Sequence, residues 1–143
     1  MVNTKEPKIC LAETFFCRFT PTQWLWCSLL YITGILCSSL QQGSPESTSI
    51  LSAVFNFLHI PAYSGLTFLL FGTLYTYAAH HKMMVPNYRL LYLSSFIIAV
   101  IYGVLNEFVQ ANIPGRTFGV DDMARNALGA GLSLALIRYF LFR

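Results

Sequence analysis

Four apolar runs, each about long enough to cross a bilayer as a helix, take up most of a chain of 143 residues. They lie at about 22–40, 60–79, 90–108 and 123–142. A soluble domain of this size has too little interior to hide four such runs. Hydrophobic residues make up 55% of the chain and charged residues 10%, where an ordinary soluble domain is about 25% charged. The runs predict an all-α fold, an integral membrane four-helix bundle, with the lipid bilayer as its partner.

The segments around the runs refine this. Residues 1–21 carry both signs of charge with Phe15, Phe16 and Phe19 interspersed, and predict a cytoplasmic tail with an interfacial aromatic segment ahead of a membrane domain at 22–143. Trp24, Trp26 and Tyr31 lie near the start of the first run, where indoles anchor a span at the headgroups. Ile50 to Leu58 has helical periodicity but is too short to span, so a short interfacial helix is expected before the second span. Pro61 then falls in that span's first turn, where its missing N–H does no harm. Asp121 or Asp122 is expected to cap the fourth span. Ala127, Gly131 and Ala135 recur every fourth residue, a small-residue stripe that lets helices approach closely in lipid, expected in internal packing against the third or second span rather than in a dimer interface.

The net charge of +3 is scattered and gives no basis for nucleic-acid binding. Its distribution carries orientation. With four spans, Lys5, Lys8, Arg18, Lys82, Arg89, Arg138 and Arg143 share one side and only Arg116 and Arg125 the other. Positive charge favours the cytoplasm, so both termini are expected there. The first run begins late and lacks a small-x-small cleavage site, so it is read as an anchor that stays. Cys10, Cys17, Cys27 and Cys37 form no CxxC pair, and no disulfide is expected.

Polar chemistry concentrates between the third and fourth runs. Glu107, Gln110, Arg116, Asp121, Asp122, Arg125 and Asn126 fall within twenty residues. An ionisable group at a membrane helix centre costs roughly 2.5 to 3.5 kcal/mol on translocon scales, so these groups need partners or water. Arg116 is the expected partner of Glu107. His59 and Tyr63, four apart at the entrance of the second span, share a helix face. The topology brings His59, Tyr63, Glu107, Gln110, Arg116, Asp122 and Asn126 to one extracytoplasmic end, from three spans. Singly each has a plainer reading, Asp122 as a cap, Arg116 as a loop charge and His59 as an interfacial residue. Their coincidence predicts a site. His80 and His81 lie about 30 Å away along the same helix and cannot share an ion with His59.

These residues carry a resemblance. His59 with Ala62-Tyr63, Leu105-Asn106-Glu107 with Gln110, Pro114-Gly115-Arg116-Thr117, Asp122, and Asn126 with Gly129 resemble the pattern of the VanZ-like family. Its members are small bacterial membrane proteins named after a protein associated with teicoplanin resistance. The likeness covers about Leu51 to the C-terminus. The family commonly has aspartate-lysine where this chain has Phe55-Asn56, aspartate at Asn106 and histidine at Val109, so the site here has lost charge. The resemblance implies a multi-pass protein of the bacterial plasma (inner) membrane with a cell-envelope role, and no particular reaction.

Three functions fit these residues. An outward-facing pocket would bind a lipid headgroup or cell-wall precursor, with glycopeptide tolerance as the phenotype. A membrane-embedded hydrolase or transferase would use His59, Glu107 and Asp122 as base, acid and ligand set on a lipid-linked substrate. A purely structural network would hold the third and fourth spans together. No catalytic residue, metal or cofactor is assigned at this level.

Overall fold

The computed structural model describes residues 11–40, 49–81, 87–114 and 118–141. Among these the chain is all-helical, with a short α1 (Leu11–Phe16) followed by α2 (Pro21–Ser39), α3 (Ser49–His80), α4 (Tyr88–Ala111) and α5 (Val120–Leu141). Side-chain chemistry sets two of the starts. Thr20 and Gln23 close a reciprocal capping box with Pro21 in the first helical position. Asn87 caps α4 by accepting from the Leu90 amide at 3.3 Å.

Helix α3 packs against each of the other four. At one end Phe16, Trp24, Phe71, Tyr75 and Ile137 form an aromatic core, with Tyr88, Leu91 and Tyr92 against it. These come from the end of α1, the starts of α2 and α4 and the ends of α3 and α5, so α2 to α5 run antiparallel in sequence. A second layer holds Tyr63, Leu66, Ala99 and Ala130, flanked by Tyr31, Ile32 and Ile35 of α2. Polar ties join α2 to the others: Ser28 and Thr73 share a 3.0 Å hydrogen bond, and Tyr102 donates to the Ile32 carbonyl at 2.8 Å.

Helix α4 has its polarity reversed relative to a soluble helix. Leu93, Ile97, Ile101, Leu105 and Phe108 are exposed, while Ser95, Asn106, Glu107 and Gln110 are buried. A soluble amphipathic helix turns its apolar stripe inward; this one presents it to the surroundings. Phe57–His80 of α3 and Tyr88–Ala111 are each long and apolar enough to cross a membrane.

Four expectations are corrected. The interfacial helix at Ile50 to Leu58 is not separate: α3 is continuous for 32 residues with Pro61 inside it. Proline interrupts one i to i−4 bond, and a membrane helix tolerates this when its neighbours hold the backbone. Trp24 is not an interface anchor; it is buried and donates from Nε1 to the Phe16 carbonyl at 3.0 Å. The exposed indole is Trp26, and Phe16 lies fully in the core rather than at an interface. Neither Asp121 nor Asp122 stands at the α5 cap, because the helix begins at Val120 and holds both acids in its first turn.

The fourth correction concerns the buried stripe of α5. It runs through Asn126, Gly129, Ala130, Ser133 and Ile137, while Ala135 is exposed. It is set about one residue, or 100°, from the Ala127, Gly131, Ala135 stripe. The closest approach is at Gly129, where a Cβ would lie 2.3 Å from the Ile60 carbonyl oxygen of α3. Cys17, Cys27 and Cys37 are free thiols, and Cys10 lies outside the described residues.

Candidate functional site

The site forms where that close approach joins α5 to α3, one residue after His59. His59 and Tyr63 sit one turn apart on α3, their rings nearly parallel, with centroids 6.4 Å apart and planes at 3°. On α4 the spacing of Gly103, Asn106, Glu107 and Gln110 places all four on one buried face. On α5 Asp122 and Asn126 are again one turn apart, and Asn126 is 1% exposed.

Contacts among these faces are specific. His59 Nδ1 lies 2.9 Å from Asn126 Oδ1. An amide oxygen only accepts, so Nδ1 is the donor, and in the neutral ring the lone pair is on Nε2. Gly103 makes room between the helices: a Cβ there would be 3.1 Å from both Asn126 Nδ2 and Tyr63 Cε1. Glu107 is fully buried, and its Oε2 accepts from the Gly119 amide at 3.4 Å. Gly119 also faces Asp122, since its Cβ would fall 2.8 Å from Oδ2. Asp122 is ion-paired with Arg125 three residues on.

His59, Glu107 and Asp122 each offer a ligand atom, and these atoms lie within 4.8 Å of one another. They are the described residues able to hold a metal ion or to pass a proton among themselves. Two carboxyl groups within 4.8 Å of one another disfavour both being charged unless positive charge lies close by, and at Asp122 the Arg125 guanidinium supplies part of it. Such a pair favours a cation or a shared proton nearby. Two further atoms stand out. Asn126 Nδ2 is buried with no hydrogen-bond partner among the described residues, a donor that costs stability while unsatisfied, and the buried Tyr63 hydroxyl lies against the Asn106 side chain.

The VanZ/LLP1 family model matches residues 16–143. The chain belongs to the VanZ/LLP1 family. The match begins at the buried Phe16, so it takes in the aromatic core as well as the polar end. No curated protein and no solved structure matches the chain. Membership and the two apolar helices together make this a membrane protein.

Within this VanZ/LLP1 fold, His59, Tyr63, Glu107, Asp122 and Asn126 come together. Gln110 and Asn106 both donate to Ser39 Oγ of α2, at 3.1 and 2.8 Å, and Ser39 in turn donates to the Ile35 carbonyl at 2.8 Å. Ser39 is thus a site neighbour that the sequence reading passes over. Its only signal is a serine pair, Ser38-Ser39, closing an apolar run. Arg116, the expected partner of Glu107, lies outside the described residues. An open, mostly apolar groove of about 560 Å³ on α2, lined by Cys27, Leu30, Tyr31, Ile35, Ser38 and Leu69 among others, contains no carboxylate, histidine or amide side chain.

Proposed function

We propose that this VanZ/LLP1 protein is a four-span protein of the bacterial plasma membrane, with both termini cytoplasmic. Its polar site, at the extracytoplasmic end, binds the headgroup of a lipid-linked envelope component, with glycopeptide tolerance as the phenotype. The convergence of His59, Glu107 and Asp122 from three helices within 4.8 Å carries the reading. Helices do not gather ionisable groups beside hydrocarbon without a use or a partner. In support of four spans, α2 and α5 are 19 and 22 residues long, enough to cross about 30 Å at 1.5 Å per residue. Helix α5 keeps its acids in the first turn and Arg138 in the last. Two carboxylates make the site prefer an amine, or a phosphate bridged by a cation.

The test uses a bacterial host that depends on the protein for teicoplanin tolerance. Glu107→Gln and Arg116→Gln should each lower tolerance to that of the deletion strain while protein in the membrane stays at wild-type level. Undiminished tolerance in both variants overturns the reading. Loss of the protein itself from the membrane instead favours the purely structural network.

The second reading, a hydrolase or transferase, is favoured by the His59–Asn126 hydrogen bond. It fixes the imidazole beside two carboxyl groups, with Nε2 available for acid–base work. Product release from a polyprenyl diphosphate by wild-type protein, abolished in His59→Gln, would establish it.

A further inference from the structure

We infer that His59, Glu107 and Asp122 form a binding site for a first-row divalent cation, of the zinc or manganese class, with Asn126 as the residue that orients the histidine. This deepens the headgroup reading by giving the site the positive charge that a phosphate needs, but the ion's binding is tested without any headgroup.

The ligand set is the first support. One imidazole nitrogen and carboxylate oxygens from two other helices are borderline donors that suit zinc or manganese better than the all-oxygen cages of calcium. Bonds of about 2.1 Å at tetrahedral angles separate ligand atoms by roughly 3.4 Å. The three atoms lie within 4.8 Å of one another, so side-chain rotation alone brings them to an ion. Each also sits on or beside a regular helix, with Glu107 fully buried and His59 and Asp122 half-buried.

The histidine's other nitrogen is the second support. Metal-bound histidines nearly always donate their remaining N–H to an oxygen, which fixes the tautomer. His59 Nδ1 does so to Asn126 Oδ1 at 2.9 Å, which leaves Nε2 as the ring nitrogen available to an ion. Asn126 has no access to solvent to speak of, so this orientation is built into the packing and not adopted by chance at a surface.

The third support is independent of the ligands. Asn126 Nδ2 is a buried donor with no partner among the described residues, and it packs over Gly103, one turn from Glu107. Donors aimed at a cation would be repelled by it. Donors beside a cation are satisfied by the oxygen it carries, a water or a phosphate oxygen completing the coordination. The unsatisfied Asn126 donor is thereby explained by the same occupant that the ligand set would hold.

The full chain, purified in detergent, stripped with a chelator and titrated with Co2+ as a spectroscopic stand-in for zinc, should bind an equimolar amount with visible d–d absorption, displaced by Zn2+. His59→Ala and Glu107→Gln should each weaken binding at least 100-fold. Asn126→Ala should weaken it 10- to 100-fold, as loss of such an orienting partner does. Absence of Co2+ and Zn2+ binding above a detergent blank by folded wild-type protein overturns the inference, as does binding that His59→Ala leaves unchanged. The wild-type titration needs no variant to fold. Nanodiscs containing a polyprenyl phosphate separate the two readings. Headgroup binding without metal binding removes the ion alone, and metal binding without headgroup binding removes the proposed function alone.

Discussion

Ser39 holds two amides at once, and that makes it the most informative single residue outside the cluster. Its Oγ accepts from Asn106 Nδ2 and Gln110 Nε2 while donating to its own helix, so one hydroxyl ties the end of α2 to the polar face of α4. Ser39→Ala removes that acceptor and leaves a buried amide donor on Asn106 unsatisfied. A loss of about 1 to 3 kcal/mol follows, read as a lower midpoint of thermal unfolding in detergent. Ser39→Thr keeps the hydroxyl and should recover most of it. Because the hydrogen bonds of Ser39 run to Asn106, Gln110 and Ile35, Ser39→Ala should change Co2+ affinity far less than Asn126→Ala does; equal losses would mean that the two clusters are one unit.

At the scale of the element, two glycines predict opposite outcomes from the same substitution. Gly129→Ala drives a methyl to 2.3 Å from the Ile60 carbonyl oxygen, which is helix backbone and cannot swing away. Gly65→Ala meets Tyr31 Oη at 2.6 Å, the far end of a side chain that can rotate. Overpacking typically costs 1 to 3 kcal/mol. Gly129→Ala should therefore lose about 3 kcal/mol and disturb the His59–Asn126 contact, and Gly65→Ala about 1 kcal/mol or less. Midpoints in a detergent melt rank them. The same contacts show what the sequence can and cannot tell. The i, i+3, i+4 spacing of Gly103, Asn106, Glu107 and Gln110 locates the polar face of α4 because helix periodicity is local. The phase of α5 is decided by a distant contact, Gly129 on Ile60, which no spacing within α5 reports; hence the small-residue stripe at Ala127 points one position away from the true one. Likewise Pro61 reads as a helix start, yet α3 runs through it because α2, α4 and α5 pack along its length.

At the scale of the whole molecule, the inverted polarity of α4 and the antiparallel order of α2 to α5 together demand that the two ends of the bundle face different compartments if it spans the membrane. The polar end holds the C-terminal ends of α2 and α4 and the start of α5; the aromatic end holds Phe16, Trp24, Tyr75 and Tyr88. The lysines and arginines expected on the cytoplasmic side include Arg18, Arg89 and Arg138, which flank the aromatic end in the sequence, so positive charge and aromatic end go together. Asn112, just after α4, and His81, just after α3, are both exposed and mark opposite ends. In a cysteine-free background, with Cys10, Cys17, Cys27 and Cys37 replaced by serine, Asn112→Cys should react with a membrane-impermeant maleimide on intact cells. His81→Cys should react only after the membrane is opened. Reversed labelling would put the site in the cytoplasm and exclude a role facing the cell wall. Labelling of both from one side would break the antiparallel crossing of α4 and with it the four-span arrangement. The expected pattern leaves His59, Glu107 and Asp122 on the side where envelope precursors are assembled, the one position from which the proposed site can meet its headgroup.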